Sequence, residues 1–200
     1  MLTEYSFWLF KDAIPHNKIV KIKKLADGGG YSDSLIRAKN KEVVPDKEHR
    51  DSKVFFSNDR YLYELLVPFV LGANKSAGWK FNVDYFENIQ IARYTNEQHY
   101  NWHQDGPSDH LGVYDTYAKH EVNYQGKVRK LSLILILESC EEGGKFQIAN
   151  DDPLKDNRFE PDIDAGDIIV FPSYLWHTST PVIKGTKTSL AMWCLGPPFV

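Results

Sequence analysis

Trp102-His103-Gln104-Asp105 and, far downstream, Trp176-His177 are the residues of this chain best suited to chemistry. In an extended segment side chains alternate, so His103 and Asp105 share one side and can grip a single ion. The second histidine of such a site must come from elsewhere, and His177 is the candidate. Two neutral imidazoles and one carboxylate occupy one face of an octahedron and leave three positions for a bidentate cosubstrate and oxygen, the vacancy that oxygen activation needs. The H-x-D pair alone is weak evidence, because such tripeptides arise often by chance. The surroundings of His177 add to it. Gly166-Asp167-Ile168-Ile169-Val170-Phe171-Pro172 precedes it, and a turn then leads into a strand that carries Lys187. Period 2 puts Lys187, Ser189, Ala191 and Trp193 on one face of that strand. A lysine aimed into a barrel is costly to desolvate unless an anion meets it, so an inward Lys187 implies a buried carboxylate partner. On an edge strand it would simply face water.

Other chemistries fit less well. His99 and His103 have the i, i+4 spacing of a helical zinc pair, but the glutamate of H-E-x-x-H is missing and residues 94–105 show no helical periodicity. His99 reads instead as a solvated loop residue, as do His16, His49, His110 and His120. There is no G-x-S-x-G elbow for a serine hydrolase, and neither cysteine has a histidine nearby in sequence. A non-catalytic jelly-roll module that binds a carboxylate or sugar remains the second reading.

The elements that must position these residues change character along the chain. Residues 5–10 read as a strand, and residues 14–26 as a helix with Ile19, Ile22 and Leu25 on one face, ended by Asp27-Gly28-Gly29-Gly30. Residues 31–50 are polar and aperiodic, as expected for a surface excursion. Asn58 or Asp59 can cap a second helix through Leu65, Leu66, Phe69 and Leu71, with Pro68 expected to kink or split it. From about Phe81 onward the pattern is β-branched and aromatic, with strands expected at 81–85, 89–94, 131–137, 145–148, 168–171 and 186–193. Leu-Ser-Leu-Ile-Leu-Ile-Leu at 131–137 is apolar on both faces, as in a central strand covered on each side. Helices followed by strands argue for an α+β but mainly β jelly roll, with the N-terminal helices packed on one face of the major sheet. The expected organisation is one domain over 1–200, a helical support at 1–80 and a jelly-roll core at 81–200. Residues 106–127 start beside Asp105 and lack periodicity, and such a long connection is often a lid. Its Asp109, His110, Tyr114, Asp115, Tyr117, His120 and Tyr124 suit contact with a peptide or polar substrate.

Composition sets the outer bounds. Two hundred residues suffice for one sizeable core. With 42 % hydrophobic residues, 26 % charged and a net charge of −3, the balance indicates neither a nucleic-acid nor a polyanion partner. The first residues read as a strand rather than a signal peptide, and no run approaches a membrane span. Cys140 and Cys194 are too few for a disulfide framework or thiolate zinc site, which makes a reducing cytoplasm the simplest expected location.

The blocks Ile91-Ala92-Arg93-Tyr94, Tyr100-Asn101-Trp102-His103-Gln104-Asp105, Arg129-Lys130-Leu131-Ser132-Leu133 and Gly143-Gly144-Lys145-Phe146 carry a resemblance, together with His177-Thr178-Ser179-Thr180-Pro181-Val182-Ile183-Lys184-Gly185-Thr186-Lys187 and Trp193. The sequence resembles the prolyl 4-hydroxylase-like branch of the Fe(II)- and 2-oxoglutarate-dependent dioxygenases, nearest to the PKHD-type hydroxylases. That resemblance implies a double-stranded β-helix, iron ligands at His103, Asp105 and His177, and Lys187 pairing with the C5 carboxylate of 2-oxoglutarate. It also implies that Tyr94 and Ser189 hydrogen-bond that carboxylate, that O2 is cosubstrate, and that ascorbate supports activity. The implied reaction is hydroxylation of an organic substrate, a prolyl residue of a peptide or protein among the options, with release of succinate and CO2. A halogenase of the same superfamily would need a small residue where Asp105 stands. Two departures stand out: Glu97 occupies a position where many relatives have glycine, and Lys187 one where many PKHD members have arginine.

Overall fold

The computed structural model describes residues 5–37, 43–107, 110–114, 122–155 and 157–199. Two antiparallel sheets face each other across the metal-ligand residues. The larger has the strand order Trp8–Phe10, Ile168–Pro172, Val128–Glu138, Thr186–Gly196, Ile89–Thr95, Lys53–Ser57 and Ser32–Asp33, with Tyr85–Phe86 pairing the end of Thr186–Gly196. The smaller runs Arg158–Phe159, Phe146–Ala149, Trp176–Ser179, His99–His103 and Arg50–Asp51. This is a double-stranded β-helix, mainly β, with its helices on one side.

The apolar spacing of the helices explains their placement. Helix α1 (His16–Gly29) buries Ile19, Ile22 and Ala26, and helix α2 (Arg60–Ser76) buries Leu62, Leu66, Val70 and Ala73. Both stripes pack on the outer face of the larger sheet against Leu131, Leu133, Leu135, Ile168, Val170, Leu190 and Met192. Asp59 caps α2, its carboxylate accepting from the Tyr61 N–H at 2.9 Å. Pro68 lies inside α2 without splitting it, contrary to one of the two outcomes expected. A proline forfeits one helical hydrogen bond, and the buried face on either side of it offsets that loss.

Strand Val128–Glu138 is the spine of the molecule. Its odd-numbered leucines face the helices, whereas Ser132 and Ile134 face the opposite sheet, as period 2 requires. Three expectations need correction. Residues 81–84 are not a strand, because the Asn74 side chain takes both backbone groups of Phe81, accepting from its N–H and donating to its carbonyl at 2.9 Å each. Residues 31–50 are not a plain excursion: Ser32–Asp33 and Arg50–Asp51 pair into the two sheets, and Ile36–Arg37 pairs with Val43–Val44, residues 38–42 lying outside the described residues. Strand Lys53–Ser57 was not expected at all. Among the described residues no helix is long and apolar enough to cross a membrane.

Candidate metal centre and cosubstrate cavity

His103 ends strand His99–His103, Asp105 follows in a bend, and His177 lies directly opposite His103 on strand Trp176–Ser179. Opposed residues of an antiparallel pair share a face, so register alone brings the two imidazoles together. A hydrogen bond from the Asp105 N–H to the Ser173 carbonyl (2.9 Å) holds the bend and completes the group. The three residues offer ligand atoms within 4.8 Å of one another, each residue only 4 % exposed.

The tautomers follow from the backbone. Nδ1 of His103 lies 2.8 Å from the Asn101 carbonyl and Nδ1 of His177 lies 3.0 Å from the Leu175 carbonyl. A carbonyl only accepts, so each Nδ1 carries the hydrogen and each Nε2 presents a lone pair. Those Nε2 atoms sit 3.9 and 3.5 Å from oxygens of Asp105. Three buried acceptors converging on one point repel unless a cation lies between them, so this donor set fits a divalent ion. The Asp105 carboxylate is further oriented by Ser132, whose hydroxyl donates to Oδ2 at 2.5 Å and sits 2.8 Å from the Ser173 hydroxyl. Arg129 Nη1 lies 3.8 Å from Oδ1, while its Nε and Nη2 grip Glu87 at 2.6 and 2.7 Å. Burial alone would lower the Arg129 pKa, but Glu87 overcomes this and holds it well above the usual value.

The same cavity continues to Lys187, 5 % exposed on strand Thr186–Gly196. Its ammonium donates to Ser179 Oγ at 2.7 Å, a neutral partner, and no carboxylate pairs with it among the described residues. Burial pushes its pKa down to about 8. Tyr94 faces Lys187 on the neighbouring strand, the ammonium lying 5.8 Å from the ring centre, and Ser189 follows two residues on. Both line the cavity, as do Ala191 and Trp193, so the expected period-2 face is present.

His99 is not brought to the centre: its ring nitrogens each lie 3.1 Å from a backbone carbonyl, of Glu97 and of Glu48. Of the connection at 106–127, Asp109, Asp115, Tyr117 and His120 lie outside the described residues. Its described ends are pinned, Tyr114 N–H donating to the Lys127 carbonyl at 2.9 Å and the Tyr114 hydroxyl to Glu87 at 3.2 Å. Glu97 adopts the left-handed conformation (φ 66°), so the turn suited to glycine forms here without one. Sequence reasoning missed Arg50, Gln90 and Tyr100, which line the cavity, and Ser132, which steadies Asp105. Only Ser132 left a signal, as the one hydroxyl within an apolar run.

The family model described as the 2OG-Fe(II) oxygenase superfamily matches residues 89–195, and the chain belongs to that superfamily. No curated protein matches it. Among solved structures it is similar to the viral collagen prolyl hydroxylase of Paramecium bursaria Chlorella virus-1 in its 2OG complex, with 19 % identity, TM-score 0.66 and 96 % of this chain covering 97 % of that one. It is likewise similar to a Pseudomonas putida prolyl-4-hydroxylase (17 %, 0.66, 96 % and 93 %). A third is a Trichoplax adhaerens prolyl hydroxylase in complex with a hypoxia inducible factor oxygen degradation domain peptide fragment (12 %, 0.64, 96 % and 84 %). At these identities the likeness shows the shared fold.

Proposed function

We propose that this chain is a 2-oxoglutarate-dependent dioxygenase that hydroxylates a prolyl residue of a peptide or protein, releasing succinate and CO2. In this reading His103, Asp105 and His177 hold Fe(II), and Lys187, assisted by Tyr94 and Ser189, holds the far carboxylate of 2-oxoglutarate. One observation carries it: a single cavity has three converging acceptors at one end and a buried ammonium without a carboxylate partner among the described residues at the other. The first demands a cation and the second an anion, which is the charge pattern of a metal bound together with a dicarboxylate.

When bound, Fe(II) and 2-oxoglutarate supply the oxidising power, one atom of O2 passing to a substrate C–H bond and the other into succinate as CO2 leaves. The protein supplies geometry. Ser132 fixes the Asp105 carboxylate, the Asn101 and Leu175 carbonyls fix the two imidazoles, and Ile134 and Phe146 line the cavity with apolar surface that keeps water from the reacting atoms. A peptide substrate is supported by the remaining wall. Tyr100 and Trp193 line it with aromatic surface, Arg50 donates to Gln90 at 2.6 Å, and the buried Trp193 indole N–H has no partner among the described residues. The peptide held by the Trichoplax neighbour supports the same class. We place the enzyme in the cytoplasm and expect ascorbate to sustain turnover.

The test is anaerobic loading with Fe(II), addition of 2-oxoglutarate and O2, and measurement of succinate with and without ascorbate, across proline-containing peptides, free amino acids and no substrate. Succinate formation stimulated by a peptide that gains one oxygen atom is the expected result. An iron-loaded protein that makes no succinate under any condition is a binding module instead.

A further inference from the structure

We propose that Tyr100 is a positioning residue for the metal centre, its ring backing the His103 imidazole and transmitting contact from the substrate wall to that ligand. The inference rests on the metal site proposed above.

In a regular strand, residues three apart point to opposite faces. Tyr100 and His103 nevertheless lie face to face, their ring centres 3.5 Å apart and their planes within 13°. The cause is a β-bulge. His103 pairs with His177 and Tyr100 with Ser179, so three steps on one strand answer two on the other, and the extra residue turns Tyr100 to the side of the ligand. The bulge is held from outside: the Asn101 N–H donates to the His49 carbonyl at 2.9 Å and its side-chain amide to the Glu48 carbonyl at 2.8 Å. On the other face of this assembly the Arg50 guanidinium lies 4.3 Å from the Tyr100 ring centre. The imidazole is thus fixed at Nδ1 by the Asn101 carbonyl and across its plane by Tyr100, which leaves Nε2 one direction in which to point. Arg50, Tyr100 and His103 all line the cavity, so a substrate pressing on the wall touches the same ring that orients the ligand. Bulges beside active sites re-aim side chains, and groups that orient a metal-binding histidine govern affinity through geometry.

The experiment uses Co(II) alone as the probe, titrated anaerobically into the full chain and followed by its visible d–d bands. Tyr100→Phe keeps the flat face and is expected to bind within about twofold of the unaltered protein with the same bands. Tyr100→Leu removes the face and is expected to bind roughly two- to tenfold more weakly, as loss of one aromatic contact implies, with displaced bands. Native affinity and native bands in Tyr100→Leu would overturn the proposal, and so would a loss in Tyr100→Phe. Should Tyr100→Leu not fold, the unaltered Zn(II)-loaded protein decides: stacking requires the His103 ring protons to be shifted upfield by the Tyr100 ring current, and unshifted protons refute it. Unaltered protein that takes up no Co(II) would instead unseat the metal site itself.

Discussion

The Ser132 hydroxyl donates to Asp105 Oδ2 at 2.5 Å, tying the one carboxylate of the acceptor triad to strand Val128–Glu138 of the larger sheet. Groups that orient a metal ligand typically contribute about ten- to 100-fold in affinity or activity. Ser132→Ala is therefore expected to weaken Fe(II) binding by roughly that factor and to destabilise the metal-free protein by about 1–3 kcal/mol, because a buried carboxylate loses its hydroxyl donor. Calorimetric titration with Mn(II) as a stable substitute, alongside a melting curve, checks both halves.

His177→Ala removes an acceptor from a site that has three. The two that remain do not hold a labile ion in an open site, so succinate production should vanish and bound iron should fall to background. Measuring iron content after gel filtration decides it, and an active, iron-replete variant would discard the assignment.

Lys187 titrates within an accessible range, because burial pushes its pKa down to about 8. In the proposed assignment the charged form binds the anion, so affinity for 2-oxoglutarate should be level below that pH and weaken as pH rises through it. Lys187→Arg keeps its charge and should flatten the profile, whereas Lys187→Ala should lose roughly ten- to 150-fold in affinity at pH 7. The stability linkage of the ligand-free protein has a defined sign. The folded pKa lies below the unfolded value of about 10.4, so the unfolded chain binds more protons between the two and stability rises with pH across about 8 to 10.4.

Glu97 holds φ at 66°, in the left-handed region, while its N–H donates to the Val182 carbonyl at 2.8 Å. That conformation costs an L residue about 1–2 kcal/mol, and glycine there gives back about 0.5–1 in chain entropy. Glu97→Gly should therefore gain about 0.5–1 kcal/mol, or roughly 1–4 °C in Tm for a chain of this size. A lower Tm would show that the Glu97 side chain contributes more than the strain removes.

What was legible in the sequence was the part with a period. The leucines at 131, 133 and 135 and the Ile19 and Ile22 pair of α1 announced themselves because burial repeats at the spacing of the element. In α2, by contrast, only Leu66 of the expected Leu65, Leu66, Phe69 and Leu71 is buried, the packed face running instead through Leu62, Val70 and Ala73 with Leu71 exposed. His103, Asp105, His177 and Lys187 were legible as types whose order matched a known pattern, and the structure brings all four to one cavity. Arg50 and Tyr100 were hidden for a different reason. Arg50 stands in a polar stretch that looks like any surface loop, and its position depends on pairing with a strand far along the chain. Tyr100 faces inward only because of a bulge, which no alternation rule anticipates. Residues 81–84 misled because their β-branched and aromatic side chains suit a strand, while Asn74 had already claimed the backbone of Phe81.

Strand Val128–Glu138 gives one face to the helices and the other to Asp105, and the two assignments are locked in phase. A slip of one residue would drive Ser132 into the oily layer beneath α1 and α2 and set Leu131 or Leu133 against the carboxylate, an error that fails at both surfaces together. The two bordering strands, Ile168–Pro172 and Thr186–Gly196, take their alignment from this one, and the latter carries Lys187. Misthreading during folding is therefore penalised by the helical layer before any metal arrives. A chain that has closed its apolar half has, by the same act, set the spacing between its anion-seeking lysine and its cation-seeking triad.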